Sequence, residues 1–372
     1  MPSEAKEQPL ANDLRRMILA EGPITVERYM ALCLGHPEHG YYMTRDPLGA
    51  AGDFTTAPEI SQIFGELIGL WVAQCWLDMG EPNPVYVVEC GPGRGTLLKD
   101  ALRAALVVPG LREAVRIELI ETSPVLKTKQ QQMLGDCGVP VAWHLELATL
   151  PKGAPIIVIG NEFLDALPIR QYVFQEGQWH ERLVGIQADH FVFGLERERE
   201  TAIAQDAPQG SVLELGVAAA GFLKELAQRL KSQGGVALFL DYGHEKSGFG
   251  DTLQAIKRHS FVDPLEGPGE ADLTAHVDFE ALTRLAHSVG LHHYGPLEQA
   301  VFLRALGLDT RAENLVSKAQ NDDQRHAISS AHRRLTDITP TGMGRLFKAV
   351  AFAAPNQPAP PAFAALTMEH EA

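Results

Sequence analysis

The chain has 372 residues, of which 45% are hydrophobic, and it carries a formal net charge of −15. This composition is ordinary for a globular protein, and the length allows one large domain with appendages or two modest domains. The acidic balance argues against a protein that binds nucleic acid through its phosphates, and it favours basic partners.

Simple patterns exclude further classes of protein. No apolar run reaches the roughly 18 residues of a membrane-spanning helix. The first residues, MPSEAKEQPLANDLRRM, contain early acids and no apolar segment, so neither a secretory signal nor a transit peptide is expected. The sequence therefore predicts a cytoplasmic protein without membrane insertion.

The cysteines predict reduced thiols and no metal site. They are scattered without C-x-x-C pairs, which argues against a disulfide framework or a zinc site. Cys33 lies near His36 and His39, but no fourth ligand is close in the sequence. The four cysteines are Cys33, Cys75, Cys90 and Cys137.

The N-terminal region is predicted to be helical. Asn12 or Asp13 can cap a first helix that ends at Gly22, and Thr25 can cap a second helix that ends near Gly35. Both helices precede a glycine-rich loop, PLGAAGDFTTAP.

The most regular helical pattern of the chain follows that loop. Apolar residues recur at helical spacing over 60–76, which predicts a helix that packs against a sheet. Thr56 can cap this helix, Pro58 suits its first turn, and Gly80 can end it.

The stretch VYVVECGPGRGTL, residues 85–97, is the most informative part of the sequence. An apolar strand that contains Glu89 leads through Gly91, Gly93 and Gly95 into a helix. The dinucleotide pattern G-x-G-x-x-G requires its third glycine where this chain has Thr96. Glycines allow a close backbone approach to a ligand, and an acidic neighbour suits the cationic groups of S-adenosylmethionine. The spacing therefore favours S-adenosylmethionine, and the alternative is a tight turn without a ligand.

A second acidic residue follows the next predicted strand, Val115 to Ile120. Glu121 stands at the tip of this strand, where a carboxylate can accept hydrogen bonds from both ribose hydroxyls. Taken alone it is more readily a solvated loop acid or a capping residue. Together with the glycine turn it predicts a ribose ligand.

Strands and helices alternate downstream, which predicts a parallel sheet. A helix is expected over 127–134, and strands over 139–143 and 155–159. From Gln171 to Glu198 the pattern changes to alternating strands with turn signals at 176–177 and 188–189, which predicts an antiparallel insertion.

The remaining predicted elements return the chain to the sheet. They are a helix over 221–231 and strands over 236–240, 292–297 and 347–352. The Pro/Ala-rich tail after Ala354 is predicted to be disordered.

Polar residues after the strand at 155–159 are the main catalytic candidates, because ligands bind outside the carboxyl ends of parallel strands. The segment GNEFLDALP contains Asn161, Glu162 and Asp165. Carboxylates bind a guanidinium through paired hydrogen bonds, and the two acids would share one face if their turn were helical. The alternative is that Asn161 or Asp165 caps a helix.

Two later segments also carry polar groups. The segment DYGHEKSG is expected as a loop after the strand at 236–240, and it carries Asp241, Tyr242 and His244. GEADLTAHVDF places Asp272, His276 and Asp278 in a loop before a helix. Asp278 is more readily a cap of that helix, which would end at Gly290. For His276 a catalytic role and a partly buried loop position are both open.

Several separate blocks closely resemble the MidA family of S-adenosylmethionine-dependent methyltransferases, whose eukaryotic members are mitochondrial complex I assembly factors. The blocks are GYYM, GDFTTAPEISQIFGELIGLW, VECGPGRGTL, IETSP, NEFLDALP, FVDPLEGPGEADLTAHVDF and MGRLFKAVA. The resemblance covers most of the chain. It departs from the family at Cys90, where leucine is usual and where only packing should change.

The resemblance implies a fold and an activity. The fold is the Rossmann-like α/β class I methyltransferase, with a mostly parallel seven-stranded sheet, an antiparallel final hairpin and a helical N-terminal extension. The activity is protein arginine methylation, which in the mitochondrial relatives is symmetric dimethylation of a complex I subunit. The corresponding division of the chain is a helical extension with a cofactor-covering loop (1–80), a core in two parts (81–170 and 231–355), an antiparallel insertion (171–230) and a disordered tail (356–372).

The sequence and the resemblance together predict the following site. The catalytic residues are Asn161, Glu162, Asp165 and His276, and S-adenosylmethionine is bound by Glu89, Gly91, Gly93, Gly95, Glu121, Thr55, Thr56 and Asn161. The acceptor is a protein arginine, with a complex I subunit as the candidate, and no nucleic acid partner is expected. The alternatives are an assembly chaperone that keeps the cofactor fold with little catalysis and an NAD-dependent oxidoreductase.

Overall fold

The computed structural model describes residues 9–49 and 52–363. The helices are α1 (Pro9–Glu21), α2 (Val26–Gly35), α3 (Tyr41–Thr44), α4 (Ala57–Ile60), α5 (Gln62–Asp78), α6 (Thr96–Ala105), α7 (Leu111–Ala114), α8 (Pro124–Leu134), α9 (Val217–Gln233), α10 (Phe279–Ser288), α11 (Gln299–Ala305), α12 (Leu308–Lys318), α13 (Asp322–Leu335) and α14 (Met343–Leu346). The strands are β1 (Ile24–Thr25), β2 (Val85–Cys90), β3 (Val115–Ile120), β4 (Val141–His144), β5 (Ile156–Asn161), β6 (Arg170–Gln175), β7 (Gln178–Gln187), β8 (His190–Glu200), β9 (Val212–Leu215), β10 (Gly235–His244), β11 (Gln254–Lys257), β12 (Ser260–Val262), β13 (Asp272–Thr274), β14 (Val277–Asp278), β15 (His292–Glu298) and β16 (Phe347–Ala353).

The chain folds into two compact units, each built from separate stretches of sequence. The first unit contains the described residues up to Phe54 together with Ala166–Ala219 and Ser247–His276. The second unit contains Thr55–Asp165, Ala220–Lys246 and the described residues from Val277 onward. Helices α4 and α5 therefore belong with the large sheet and not with the N-terminal helices.

The second unit is built on a mixed sheet. Its order is β15–β16–β10–β5–β2–β3–β4, and β14 pairs with the end of β10. The strands from β10 to β4 run parallel to their neighbours, whereas β16 is antiparallel to both β10 and β15. The α/β class is confirmed, but within the described ranges the sheet has eight strands and not the seven expected.

Most strands lie where the hydrophobic pattern predicts them. β2 and β3 are buried runs rich in branched residues. β2 ends at the glycine turn, and β3 ends directly before Glu121. β10 extends further than expected, through Asp241 and Tyr242 to His244. The expectation that these three residues form a loop was wrong, because β16 and β14 pair with them and continue the strand.

The helix predicted over 60–76 is divided near its start. The chain first forms α4, passes through Ser61 in an extended conformation, and then enters α5. Ser61 Oγ accepts a hydrogen bond from the Ile63 N–H at 3.2 Å. Thr56, the expected cap, makes no side-chain capping bond to any described residue. Ser61 takes this role because its extended backbone places the hydroxyl at the start of the longer helix.

The helix α5 packs closely on α6. A Cβ added at Gly69 would lie 2.1 Å from the Ala101 carbonyl oxygen, and one at Gly65 would lie 2.7 Å from the Asp100 Cβ. Apolar side chains of α5 share one core with the strands of the large sheet, which confirms the expected packing. The two glycines are therefore required by the short distance between the helices.

A buried carboxylate also fixes α5. Glu66 accepts hydrogen bonds from Arg103 of α6 at 2.8 Å and from Arg311 of α12 at 2.8 Å. Burial alone would raise the pKa of Glu66, but the hydrogen bonds from Arg311 and Arg103 lower it below its ordinary value. The ionised form of Glu66 therefore ties three helices together.

Other helix boundaries differ modestly from expectation. α2 agrees, since Thr25 Oγ1 accepts from the Arg28 N–H at 3.1 Å. α1 already begins at Pro9, so neither Asn12 nor Asp13 caps it. α8 begins at Pro124 with Ser123 as its cap, one turn before the predicted start.

The first unit is built on antiparallel strands. The order is β1–β7–β6–β9, with β8 on β7, and β11 pairs antiparallel with β12 and β13. The predicted turns at 176–177 and 188–189 are confirmed, because Glu176, Ala188 and Asp189 all have positive φ angles. The buried faces of α1 and α2 pack with residues of β7 and β13 in a core of their own.

The end of the described chain is packed and not disordered. Phe363 is 2% exposed, and its ring centroid lies 5.5 Å from that of Phe302. Residues 364–372 of the predicted tail, and Ala50 and Ala51 of the predicted glycine-rich loop, lie outside the described residues. Over residues 9–49 and 52–363, no helix combines the length and apolarity needed to cross a membrane.

Candidate active site

Three glycines form the turn between β2 and α6. Gly91, Gly93 and Gly95 have φ angles of 62°, 54° and 85°, a region that glycine reaches without strain. A Cβ at Gly91 would lie 3.2 Å from the ring of Phe163, so the turn also passes close to the loop after β5. The predicted strand, turn and helix are confirmed.

Glu89 lies one residue before the end of β2 and is 3% exposed. Its Oε2 atom has no hydrogen-bond partner among the described residues. Burial, and then the nearby Glu121 carboxylate, raise the pKa of Glu89 to about 8. A buried acceptor without a partner is costly, so a cationic ligand beside the glycine turn would fit it.

Glu121 follows β3, the neighbour of β2. Its Oε1 accepts from the Ser123 N–H at 2.7 Å, and its Oε2 accepts from Gln130 Nε2 at 2.8 Å. Burial raises the pKa of Glu121, while the Ser123 and Gln130 hydrogen bonds lower it. Each carboxylate oxygen has two lone pairs, so these bonds leave acceptor capacity for hydroxyls.

Gln130 connects this acid to the glycine turn. Its amide nitrogen also donates to the Gly93 carbonyl at 2.7 Å, and its amide oxygen accepts from Trp143 Nε1 at 2.9 Å. Sequence reasoning missed Gln130, which is fully buried. Its spacing of four from Leu126 and Leu134 on α8 was a usable signal, because it places a polar group on an apolar face.

The segment around α4 contacts both the loop after β5 and the start of α6. Thr55 directly precedes Thr56, which is 8% exposed, and the Ala57 N–H donates to Glu162 Oε1 at 3.3 Å. The covering role of the loop before α4, and the contact of the two threonines with a cofactor, both stay predictions.

Glu59 of α4 was not predicted and meets the glycine turn. Its Oε1 accepts from Thr96 Oγ1 at 2.6 Å, and its Oε2 lies 3.4 Å from the Arg94 guanidinium. Thr96 stands where a dinucleotide turn has glycine, and its side chain bonds α4 to the start of α6.

Asn161 ends β5, beside β2. Its Oδ1 is buried without a hydrogen-bond partner in the described part of the chain, and its Nδ2 donates to Glu162 Oε1 at 3.1 Å. In the strand register Gly160 pairs with Cys90, so Asn161 stands at the level of the glycine turn. A second unsatisfied acceptor therefore faces the same end of the sheet.

Glu162 and Asp165 do not share a helical face. Glu162 has a φ of 52°, and the chain from 162 to 165 forms no helix. The helical turn on which a shared face depended is not formed by residues 162–165, and the alternative, a helix cap at Asn161 or Asp165, was wrong. The reason is a tertiary contact: the N–H groups of residues 163–165 donate to the carboxylate of Asp241 on β10.

Asp241 is 1% exposed and lies beside another carboxyl group. The pKa of Asp241 lies well above its ordinary value, because burial and then the Asp165 carboxyl group raise it by more than the hydrogen bond from the Leu164 N–H lowers it. The loop after β5 thus carries a group of acidic side chains at the carboxyl ends of β5 and β10.

His276 is not part of the second unit. It belongs to the first unit, between β13 and β14, and its backbone N–H donates to Thr252 Oγ1 at 2.9 Å. It is therefore not among the residues that the second unit brings together. Asp272 accepts from Tyr42 Oη at 2.7 Å, and Asp278 caps α10 by accepting from the Ala281 N–H, as its capping interpretation required.

The second unit thus brings together most of the predicted site. Glu89, Glu121, Asn161 and Glu162 stand at the carboxyl ends of β2, β3 and β5, next to a turn that permits close backbone approach. The donor set is rich in carboxylates, and two buried acceptor oxygens, Glu89 Oε2 and Asn161 Oδ1, lack partners among the described residues. Such a set fits the cationic groups and ribose hydroxyls of S-adenosylmethionine.

Comparisons with known proteins agree with this geometry. Residues 67–297 match a family described as putative S-adenosyl-L-methionine-dependent methyltransferases. A Drosophila melanogaster protein named protein arginine methyltransferase NDUFAF7 homolog, mitochondrial, is 37% identical, covering 94% of this chain and 86% of its own. The human protein arginine methyltransferase NDUFAF7, mitochondrial, is 34% identical, covering 93% of this chain and 83% of its own.

A solved structure shares the fold. It is a likely methyltransferase of the COG1565 superfamily from Burkholderia thailandensis, bound to S-adenosyl-homocysteine, with a TM-score of 0.82 and 31% identity. The alignment covers 95% of this chain and 94% of that one. The resemblance to MidA-type proteins is confirmed, and the chain belongs to the family of putative S-adenosyl-L-methionine-dependent methyltransferases.

Proposed function

We propose that this protein transfers a methyl group from S-adenosylmethionine to an arginine side chain of a protein acceptor. The observation that carries the proposal is the position of Glu162, a carboxylate held at the end of β5 by Asn161 and by the Ala57 N–H. The names of the relatives support the choice of a protein arginine as the acceptor.

The donor would be held by the residues around the glycine turn. We assign the backbone of Gly91, Gly93 and Gly95 to close approach, Glu89 to a cationic group, and Glu121 to the ribose hydroxyls. Thr55 and Thr56, which directly precede α4, and Asn161, at the end of β5, would supply the remaining contacts with the donor.

The acceptor would be held by the acids of the loop after β5. S-adenosylmethionine, when bound, supplies a methyl group on a positively charged sulfur. Glu162 and Asp165 would bind the guanidinium through paired hydrogen bonds and direct one nitrogen toward that methyl group. As the nitrogen–carbon bond forms and the sulfur–carbon bond breaks, one proton leaves the nitrogen, and we assign Glu162 to accept it.

Substitution of Glu162 by glutamine tests this assignment. The amide keeps the shape and one acceptor oxygen but removes the charge, so methyl transfer should fall by about 100-fold. S-adenosylhomocysteine should still bind with an affinity within about threefold of wild type, because the donor half is intact. Transfer is measured with labelled methyl groups on proteins of a cell extract, and binding is measured by calorimetry.

Glu176→Gln is the matched control. Glu176 also has a positive φ angle, 53°, but it lies in the exposed β6–β7 turn of the first unit. This variant should transfer methyl groups at the wild-type rate. Full activity of Glu162→Gln would contradict the assignment. Binding of S-adenosylhomocysteine by a wild-type protein that transfers no methyl group would favour the chaperone alternative.

Three finer assignments are also proposals. A complex I subunit is the first acceptor to test, by mass spectrometry of methylated arginines in the purified complex from cells with and without this protein. A catalytic role of His276 predicts that His276→Ala lowers transfer without affecting the binding of S-adenosylhomocysteine. A cytoplasmic location is tested by cell fractionation.

A further inference from the structure

Asp241 is brought to the acceptor loop by the strand register. In the parallel pair of β5 and β10, Leu240 pairs with Asn161, so Asp241 stands beside the first residues after β5. The Leu240 carbonyl also accepts from the Glu162 N–H at 2.9 Å. Two successive residues of β10 therefore contact the loop that carries the catalytic candidate.

One carboxylate oxygen of Asp241 accepts hydrogen bonds from three backbone N–H groups of the loop. Its Oδ2 accepts from the N–H groups of Phe163 at 3.1 Å, Leu164 at 2.7 Å and Asp165 at 3.3 Å. Its Oδ1 accepts from the Tyr242 N–H at 3.0 Å. Converging N–H groups form a site for negative charge, and buried N–H groups require partners.

The loop depends on this anchor because its own backbone offers little. Residues 163–165 form neither helix nor strand, so their N–H groups have no ladder to join. Glu162 has a φ of 52°, which is uncommon for a residue with a side chain. Such a conformation persists when the surrounding structure holds it.

We propose that Asp241 is a positioning residue for methyl transfer, because it fixes the backbone of residues 162–165 and thereby the Glu162 carboxylate. The inference rests on the proposed function of Glu162. Asp241 acts through the loop backbone and does not itself contact the acceptor. Small misplacements of a catalytic group can slow a reaction by about 100-fold, so a loss of this anchor should affect the rate strongly.

The test is Asp241→Asn, which keeps the shape but replaces the carboxyl group on which three N–H groups converge by an amide. Methyl transfer from S-adenosylmethionine to proteins of a cell extract should fall at least about tenfold. The dissociation constant of S-adenosylhomocysteine should stay within about threefold, since the donor half is unchanged. Hydrogen exchange of the amides of residues 163–165 should become faster, while exchange in β10 stays slow.

Asp278→Asn is the matched control, since Asp278 also accepts a backbone N–H, from Ala281 at 2.9 Å, as the cap of α10. Its transfer rate should equal that of wild type. If Asp241→Asn does not fold, Asp241→Ser, whose hydroxyl can still accept one hydrogen bond, is measured in the same way.

The outcomes separate this inference from the proposed function. Wild-type transfer and wild-type exchange in the folded variant would overturn the role of Asp241. So would a loss of activity that only follows a loss of folded protein or of S-adenosylhomocysteine binding. If the wild-type protein transfers no methyl group, the proposed function fails, and unchanged amide exchange in the variant would still refute the anchor.

Discussion

Glu89 shows the conflict between burial and charge at the scale of one residue. Its side chain is almost fully buried, and Oε2 lacks a partner among residues 9–49 and 52–363. A group of this kind lowers stability unless a ligand or proton satisfies it. Because Glu89 lies beside the glycine turn, we infer that an acidic residue occupies this buried position in order to bind a cation and not to stabilise the fold.

We predict that donor-site binding is linked to a proton at Glu89. Burial and then Glu121 raise the pKa of Glu89 to about 8, whereas a bound ammonium group favours the ionised form. Binding should therefore release a proton below pH 8, and the affinity for S-adenosylhomocysteine should rise by up to roughly tenfold per pH unit until that pH. Calorimetry in buffers of different ionisation enthalpy measures the released proton.

The same shift fixes the sign of an effect on folding. The pKa of Glu89 is higher in the folded chain than in the unfolded one, where it is about 4.3. Its stabilising contribution is then complete below the unfolded value and is lost as the pH rises through about 8. Between the unfolded-state pKa and the folded-state pKa of Glu89, the Glu89→Gln variant should show a weaker pH dependence of both the S-adenosylhomocysteine affinity and the free energy of unfolding. Proton release that persists in Glu89→Gln would refute the link.

At the scale of elements, α5 packs closely on α6, and α4 bonds to the first residue of α6. α4 and α5 follow one another directly, and α6 begins at Thr96, which bonds to Glu59 of α4. The glycines of α5 allow the two long helices to touch along their backbones. The close packing of α5 on α6 and the Glu59–Thr96 bond therefore join α4 and α5 to the helix that follows the glycine turn.

Gly69→Ala should destabilise the second unit. Its Cβ would lie 2.1 Å from the Ala101 carbonyl oxygen, which is a backbone atom that cannot move aside alone. Overpacking of this kind costs about 1–3 kcal/mol in the free energy of unfolding. Denaturant titration of the purified variant measures the change.

Gly221→Ala in α9 is the control for helix propensity. Apart from its chain neighbours and the backbone of its own helix, no atom of the described residues lies within 4 Å of the Cβ that would be added there. Alanine is preferred to glycine in a helix by about 1 kcal/mol, so this variant should be as stable as wild type or slightly more stable. Equal stabilisation of both variants would show that the close approach of the helices is not required.

At the scale of the whole molecule, the charge of −15 bears on the choice of acceptor. An acidic protein attracts basic partners over distances comparable with the screening length, about 10 Å at 0.1 M salt. An arginine-bearing acceptor with net positive charge would benefit from this attraction before it reaches Glu162.

We therefore predict that transfer to a basic protein acceptor depends on salt. Raising the ionic strength from about 0.05 to about 0.3 M should lower kcat/KM several-fold and leave kcat nearly constant. The reason is that salt screens the attraction that brings enzyme and acceptor together, whereas it has little effect on the methyl transfer within the complex. The affinity for S-adenosylhomocysteine, measured at the same salt concentrations, should change much less. A salt-independent kcat/KM would argue against electrostatic capture.

The sequence by itself determined the local parts of this protein. The strand β2, the turn at Gly91, Gly93 and Gly95, and the helix α6 were predictable because backbone freedom and hydrophobic runs act over a few residues. Glu121 was predictable for the same reason, since it directly follows a buried strand. The family could be inferred from the motif blocks and was then confirmed by the comparisons.

Only the tertiary structure decided how distant residues meet. Phe163 and Asp241 are 78 residues apart, and the local pattern around Glu162 left open a helical turn, whereas β10 holds this backbone in another conformation. The extension of β10 to His244, the link from Gln130 to Gly93, and the placement of His276 in the first unit likewise depend on partners far away in sequence. Local propensity cannot contain such partners, because strand pairing and buried hydrogen bonds are fixed only when the whole chain has packed.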